Sequence, residues 1–176
     1  TVAVLGAGNI GLTAVAAARA LGAGNVLVSA RHPHQAAMAK ILGADDALSP
    51  EGGVFQDAIE DVTDGRGADL TIETVGGENN ATLQQALEVT RVQGRIVVLG
   101  CFHVPITLKS PTKDWIEPVF KELSIIFSSC YSVIGGRHDY EVAIDMLDSG
   151  RTQIDQMVTH QYPLEHIQRG FDTAHD

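Results

Sequence analysis

Three glycines near the start of the chain have the spacing of a phosphate-binding turn. Gly6, Gly8 and Gly11 follow the apolar run of residues 2–5 and precede a helical stretch that begins near Leu12. The first glycine permits a tight turn, the second lets the backbone approach phosphate oxygens, and the third lets the helix pack on the strand. Free N–H groups at the helix start would face a pyrophosphate. The pattern predicts a dinucleotide-binding site, and its alternative is a glycine-rich turn without a ligand.

A second group of residues bears on which dinucleotide is bound. An acidic residue about twenty positions after such glycines usually binds the ribose 2′-hydroxyl of NAD. This chain has Ala30, Arg31 and His32 there and no carboxylate, while Asp45 and Asp46 fall near a later strand. Arg31 could pair with a 2′-phosphate, and His32 could add a second donor. The sequence therefore favours NADP, and NAD stays possible if Arg31 is a solvated loop residue.

The other chemistry-bearing residues form no recognisable catalytic or metal-binding set. Glu73 is either a polar anchor, near the ribose or at a domain interface, or a carboxylate that nearby backbone N–H groups satisfy. Cys101 has no base at a recognisable spacing, so we expect it to pack in the fold. His32 and His34 flank Pro33 and are expected to face different ways, which disfavours a metal pair. We therefore predict no catalytic residue and no metal ligand in this chain.

The elements that must position these residues alternate between strand and helix signals. Strands are predicted at residues 2–5, 25–29, 44–48, 70–74, 95–99 and 123–128, and helices at 12–21, 33–42, 55–63, 80–89, 140–147 and 164–174. Such alternation predicts an α/β fold, a doubly wound parallel sheet (Rossmann) of six strands with helices on both faces. Ligands bind at the carboxyl ends of its strands. Pro105–Ser110 is expected to form a short edge strand, and Val158–Tyr162 is expected to be extended.

Composition limits the class of protein. A length of 176 residues fits one domain, which we expect to be a dinucleotide-binding domain over residues 1–176. The net charge of −10 argues against a nucleic-acid partner, since such binding needs clustered Lys and Arg. No apolar run predicts a membrane span or signal peptide. Cys101 and Cys130 are expected to be buried thiols rather than a disulfide, which predicts a cytoplasmic location.

Segments spread over nearly the whole chain resemble the cofactor-binding half of the medium-chain (zinc-type alcohol) dehydrogenase/reductase family. The resemblance keeps the order of the family's motifs, which makes it more specific than the glycine turn alone. Glu73 favours the zinc-dependent branch, because quinone-reductase-like members tend to carry Asp there. The segments are residues 2–11, 41–44, 67–76, 94–100, 121–125, 147–150, 158–160, 164–165 and 170–171.

The resemblance implies an NAD(P)-dependent oxidoreductase that acts on a small alcohol, polyol or carbonyl compound. In the family a separate catalytic domain holds a zinc ion that polarises the substrate oxygen, and the cofactor domain presents the nicotinamide for hydride transfer. We expect that catalytic domain to be absent from this chain, so that the chain alone is inactive. The alternatives are half of a zinc-free quinone or enoyl reductase, and a non-catalytic dinucleotide-binding module.

The resemblance also implies roles for individual residues. The glycine turn would meet the pyrophosphate, Arg31 the adenosine side, and backbone groups of Ile126 and Ser128 the carboxamide. Edge segments around residues 105–108 and 124–128 would face a partner subunit, which implies a homodimer or homotetramer. Taken with the motifs, the expected cofactor contacts are Gly6, Gly8, Asn9, Ile10, Gly11, Ala30, Arg31, His32, Val75, Leu99, Gly100, Cys101, Ile126 and Ser128.

Overall fold

A six-stranded parallel sheet organises the chain in a computed structural model that describes residues 1–108 and 117–175. Its strands are β1 (Val2–Leu5), β2 (Val26–Ser29), β3 (Asp46–Leu48), β4 (Ala68–Glu73), β5 (Thr90–Val98) and β6 (Ser124–Phe127). They lie in the order β3-β2-β1-β4-β5-β6, and each neighbouring pair is parallel. This is the doubly wound order of dinucleotide-binding folds, so the predicted sheet is confirmed.

Helices connect the strands and cover the sheet. They are α1 (Asn9–Ala20), α2 (Pro33–Ile41), α3 (Val54–Thr63), α4 (Ala81–Val89), α5 (Glu117–Phe120), α6 (Asp139–Asp148) and α7 (Ile167–His175). Short 3-10 helices span Ile154–Met157 and Leu164–His166, and a two-stranded hairpin joins β7 (Val133–Ile134) to β8 (Arg137–His138). No helix among the described residues is long and apolar enough to cross a membrane.

The core lies on both faces of the sheet because the central strand is apolar on both sides. Val2 and Val4 of β1 pack in one cluster with residues of α1, and Ala3 and Leu5 pack in the other with residues of α3 and α4. All four are buried. A strand buried on both faces reads as a continuous apolar run, which is why β1 could be predicted from sequence.

The boundaries of two elements differ from the prediction. α1 begins at Asn9 rather than at Leu12, because the Leu12 amide already donates to the Gly8 carbonyl at 2.8 Å. β5 begins at Thr90 rather than at Arg95, and its first residues include a left-handed Gln93 (φ +55°). The glycine motif therefore lies partly inside the helix, and the apolar pattern of β5 covers only its second half.

The edge strand predicted for Pro105–Ser110 is wrong over its described part. Residues 105–108 are irregular, and residues 109 and 110 lie outside the described residues. The Asn80 side chain donates to the Pro105 carbonyl at 3.1 Å, and Gln84 donates to the Thr107 carbonyl. Side chains of α4 and of Asn80, the residue before it, therefore hold this segment in place of strand pairing. Val158–Tyr162, expected to be extended, lies outside the helices and strands, and its first residue, Val158, is extended (φ −79°, ψ 92°).

Candidate dinucleotide-binding site

The glycine motif forms the turn between β1 and α1 at the carboxyl edge of the sheet. Gly6 has a φ of +96°, and a Cβ there would lie 2.6 Å from Cγ2 of Val75. Gly8 precedes α1 in an extended conformation (φ −74°, ψ −173°), and a Cβ there would meet no atom within 4 Å. The turn therefore requires glycine at position 6, whereas the space in front of Gly8 is open to a ligand.

The third glycine brings α1 against the turn. A Cβ on Gly11 would overlap the carbonyl oxygen of Gly6, so only glycine fits at this position. The first amides of a helix have no acceptor within it, and they carry the positive end of the helix dipole. α1 therefore aims free N–H groups and partial positive charge at the open space beside Gly8, as the glycine spacing predicts.

The end of β2 forms a second side of the site. Its Ser29 hydroxyl accepts a hydrogen bond from the Gly6 amide at 2.9 Å, which ties β2 to the glycine turn. Ala30 is buried, while Arg31 and His32 are exposed and precede α2. Arg31 makes no hydrogen bond or ion pair with another residue in the described part of the chain, so its guanidinium is available to a ligand.

The relative orientation of the two histidines that flank Pro33 differs from the prediction. The rings of His32 and His34 are parallel, with an interplanar angle of 6° and centroids 5.6 Å apart, rather than facing different ways. His32 precedes α2 in an extended conformation (φ −115°, ψ 141°), and this backbone geometry places its ring beside that of His34.

These walls enclose a cleft of about 250 Å³. Its lining contains Arg31 but no aspartate or glutamate, and it lies where α1 and α2 begin. Such a surface favours an anion. The lining residues are Gly6, Ala7, Gly8, Ser29, Arg31, His32, Gln35, Pro50, Thr74, Val75 and Thr82.

Acidic residues that could have opposed a phosphate lie elsewhere. Asp45 pairs with Arg19 and also accepts the Val26 amide at 2.7 Å, at the amino end of β2. Lys40 donates to Asp46 at 2.7 Å, and this hydrogen bond lowers the pKa of that carboxyl below its usual value. Neither aspartate lines the cleft, as expected from their place near β3.

Glu73 ends β4 directly behind the cleft wall and is fully buried. Its Oε1 accepts hydrogen bonds from the amides of Val75 and Gly76, each at 2.9 Å, and from the Thr82 hydroxyl at 2.7 Å. For Oε1 this arrangement matches the interpretation in which neighbouring N–H groups satisfy the carboxylate. The other oxygen, Oε2, is buried and has no hydrogen-bond partner.

The loop after β5 is joined to the loop after β4. The Glu73 carbonyl accepts the amides of Leu99 and Gly100 at 2.8 and 3.1 Å, and the Gly77 amide donates to the Cys101 carbonyl at 2.8 Å. Leu99 and Gly100 are half-buried, but Cys101 is exposed.

Cys130 is exposed as well, so the prediction of two buried thiols is wrong, and both thiols are free. Each lies three residues after the end of a strand, Cys101 after β5 and Cys130 after β6, and so in a loop rather than in the core.

The structure brings together only part of the predicted contact set. Gly6, Gly8, Arg31, His32 and Val75 share the cleft. Asn9 and Gly11 lie in the adjoining first turn of α1, and Ala30 lies behind the cleft. Ile10 and Leu99 line a separate apolar groove between α1 and α6. Gly100 and Cys101 lie in the joined loop, apart from the cleft lining.

The predicted carboxamide contacts lie on the edge strand. Ile126 is half exposed on β6, and the Ser128 amide donates to the Val98 carbonyl at 3.0 Å. The sheet therefore uses that N–H group, which leaves the Ser128 carbonyl as the backbone group that could meet a carboxamide.

Sequence reasoning missed several cleft residues. Ser29 and Thr74 carried a usable signal, since each is a polar residue at the carboxyl end of a predicted apolar strand. The Thr74 hydroxyl donates to the Leu5 carbonyl at 2.7 Å, so it also fixes the turn. Pro50 and Thr82 carried none, because the folding of distant segments places them there.

Comparisons with known proteins agree with this geometry. The family model described as "Zinc-binding dehydrogenase" matches residues 9–149. An L-threonine 3-dehydrogenase of Bacillus velezensis is 32% identical over 173 residues, covering 97% of this chain and 46% of that protein. An erythritol/L-threitol dehydrogenase of Mycolicibacterium smegmatis is 33% identical and is covered to 44% of its length. The chain thus spans under half the length of these curated relatives.

Solved structures resemble the fold over the same extent. The alcohol dehydrogenase TADH from Thermus sp. ATN1 has a TM-score of 0.80 and 32% identity, with 97% of this chain and 46% of that chain covered. A short chain alcohol dehydrogenase (rspB) from E. coli CFT073, complexed with NADH, has a TM-score of 0.78, 26% identity, and 98% and 47% coverage. A putative zinc-binding dehydrogenase from Sinorhizobium meliloti 1021, bound to NADP, has a TM-score of 0.70, 27% identity, and 89% and 44% coverage.

Proposed function

The chain belongs to the zinc-binding dehydrogenase family, and we propose that residues 1–176 are its cofactor-binding domain, which binds NADP(H) and presents the nicotinamide for hydride transfer. The substrate would be a small alcohol, polyol or carbonyl compound held by a separate catalytic domain. One observation carries the proposal: a Cβ on Gly8 would enter open space beside the start of α1, where the helix has free amides. A turn that served only the fold would have no need of glycine there.

Arg31 supports NADP as the preferred cofactor. It is exposed, has no partner among the described residues, and lines a cleft without a carboxylate. A 2′-phosphate there would gain charge-assisted hydrogen bonds that a 2′-hydroxyl cannot make. Relatives with solved structures carry NADH in one case and NADP in another, so the preference rests on this chain's own residues.

Each part of the site would bind a different part of the dinucleotide. The α1 amides would hold the pyrophosphate, and Arg31 would fix the adenosine end. Val75 and the loop of residues 99–101 would orient the nicotinamide half. A zinc ion held by the catalytic domain would supply the polarisation of the substrate oxygen. No residue of this chain is assigned to the zinc.

The edge of the sheet supports a proposal about assembly. Among residues 1–108 and 117–175, β6 pairs with β5 alone, and its Ile126 and Phe127 are half exposed or more. An apolar edge strand tends to pair with another strand. We infer a homodimer in which the β6 strands of two copies meet.

Calorimetric titration of the chain with NADPH tests the proposal. We expect saturable binding to one site, competition by 2′,5′-ADP, and no oxidation of alcohols by the chain alone. If NADPH and NADH both fail to bind at any accessible concentration, the cleft is not a dinucleotide site. Turnover by the isolated chain would instead show that the catalytic groups lie within it.

A further inference from the structure

The buried Glu73 is placed to control one half of the cleft. Three donors converge on its Oε1, namely the Val75 amide, the Gly76 amide and the Thr82 hydroxyl. Two of these residues, Val75 and Thr82, line the cleft themselves. Glu73 thus lies behind this wall of the cleft, and its Oε1 accepts hydrogen bonds from residues of the wall.

Burial of this carboxylate calls for an explanation beyond packing. A buried carboxylate is unfavourable unless its oxygens are paired, and Oε2 of Glu73 has no partner. A Cβ on Gly100 would collide with that oxygen and come close to the Gly76 amide. The Glu73 side chain therefore lies between the loop after β4 and the loop after β5, in contact with both.

Glu73 binds both loops. Its side chain accepts hydrogen bonds from the loop after β4, and its main-chain carbonyl accepts them from the loop after β5. The Glu73 carbonyl accepts the amides of Leu99 and Gly100, while its carboxylate holds Val75. Val75 in turn packs so closely on the glycine turn that a Cβ on Gly6 would lie 2.6 Å from its Cγ2. Loss of the carboxylate would remove the hydrogen bond to the Val75 amide but leave the packing of Val75 on the glycine turn. The Arg31 side of the cleft makes no hydrogen bond to Glu73.

We propose that Glu73 is a positioning residue that fixes Val75, Gly76 and Thr82 as the nicotinamide-side wall of the cleft. The adenosine side, at Arg31, is independent of it. This inference rests on the proposed function. It predicts that removal of the acceptor weakens binding of the whole dinucleotide but spares binding of its adenosine end.

Three variants and a control test this division. Glu73→Gln keeps an acceptor at the position of Oε1, Glu73→Leu removes it at similar volume, and Thr82→Val removes one donor. The control is Thr71→Val, on the same strand as Glu73, which breaks the buried 2.7 Å hydrogen bond between Thr71 and Thr90 of β5. Neither threonine lines the cleft, and the Thr90 hydroxyl still donates to the Ala86 carbonyl.

Each variant is titrated with NADPH and, separately, with 2′,5′-ADP, which carries only the adenosine end. In Glu73→Leu we expect the NADPH dissociation constant to rise at least about tenfold, since three donors lose their acceptor. The 2′,5′-ADP constant stays within about twofold. Thr82→Val shows a smaller loss of the same kind, and Glu73→Gln and Thr71→Val stay close to wild type for both ligands. Amide exchange at Val75 and Gly76 accelerates in Glu73→Leu but not in Thr71→Val.

The outcomes separate this inference from the proposed function. Equal losses for both ligands in Glu73→Leu would mean that Glu73 only stabilises the fold, and no loss for either would mean that it positions nothing. If Glu73→Leu does not fold, the split is read from Thr82→Val, and equal or absent losses there overturn the inference. A wild-type chain that binds neither ligand overturns the proposed function and this inference with it.

Discussion

Gly11 lies so close to Gly6 that a single added carbon on Gly11 would overlap the Gly6 carbonyl oxygen. The two glycines hold α1 against the turn after β1, and this contact is required whether or not a ligand is bound. Gly8 lies between them in sequence, yet its α-carbon faces open space. The motif thus contains two glycines that the fold requires and one, Gly8, that the fold does not require and that we propose the ligand does.

This difference predicts that the same substitution affects stability strongly at Gly11 and weakly at Gly8. We expect Gly11→Ala to lower the free energy of unfolding by about 1–3 kcal/mol, because the added methyl group forces the turn and the helix apart. Gly8→Ala should change it by less than about 0.5 kcal/mol. Urea denaturation followed by circular dichroism measures both. Equal stabilities would contradict the contact between Gly11 and Gly6.

Binding should respond in the reverse order. We expect Gly8→Val to abolish NADPH binding, since its side chain would occupy the space that the phosphates need, while the fold remains intact. The control is Gly24→Val at the opposite edge of the sheet, where a Cβ also meets no atom within 4 Å. Calorimetry should find wild-type affinity in the control. Unchanged affinity in Gly8→Val would remove the glycine turn from the binding site.

The sheet could be predicted from sequence because local pattern alone determines its central strands. Val2–Leu5 is apolar at every position and is buried on both faces, so its burial does not depend on register. The start of β5 could not be predicted, because Val92 and Gln93 are exposed and carry no apolar pattern. The segment after Pro105 was mistaken for a strand because the hydrogen bonds that hold it come from Asn80 and Gln84, about 25 residues away in sequence.

The candidate site likewise has residues that could be predicted from sequence and residues that could not. Gly8 and Arg31 were found because each follows a strand at a spacing that reflects a local turn. Thr82 was missed because it reaches the cleft only when α4 packs beside the end of β4, where Glu73 accepts its hydroxyl hydrogen. Sequence therefore predicts the half of the site made by consecutive residues better than the half made by tertiary contacts.

The charge of Arg31 should set the cofactor preference. We expect the wild-type chain to bind NADPH more tightly than NADH, and Arg31→Asp to reverse that order, as a carboxylate repels the 2′-phosphate and accepts from a 2′-hydroxyl. Loss of the charge-assisted bonds should weaken NADPH binding about tenfold or more. Arg66→Asp makes the same charge change in the turn before β4 and should leave both affinities unaltered. Equal wild-type affinities for the two cofactors would refute the assignment of Arg31.

The acid stability of the chain should depend on Asp69. Hydrogen bonds from the Thr1 ammonium and from Arg91, both at 2.6 Å, lower the pKa of Asp69 from 3.8 to about 2. A folded-state pKa below the unfolded value means that the stabilisation is complete above about pH 4 and is lost as the pH falls toward 2. Because the side chain is 55% exposed, solvent screening limits the contribution to about 1 kcal/mol or less.

Asp69→Asn should therefore lower the free energy of unfolding at pH 7 and reduce its fall between pH 4 and pH 2, where the carboxyl titrates. Urea denaturation across this range measures the effect. Asp61→Asn, on the exposed surface of α3, is the control and should keep the wild-type pH dependence. An identical acid profile for Asp69→Asn and wild type would show that the ion pairs of Asp69 with Thr1 and Arg91 do not stabilise the chain.

The free edge of β6 should mediate self-association. The Ser128 amide donates to Val98 of β5, so by the alternation of a strand the amide of Phe127 points away from the sheet, toward a partner. Phe127 is also 59% exposed. We expect sedimentation velocity to detect a dimer of the wild-type chain. Phe127→Lys should raise its dissociation constant at least about tenfold, because pairing would strip water from an ammonium group. Val62→Lys, a comparably exposed position on α3, should dimerise as wild type does. A strictly monomeric wild-type chain would contradict pairing through β6, and equal weakening in both variants would reflect added charge alone.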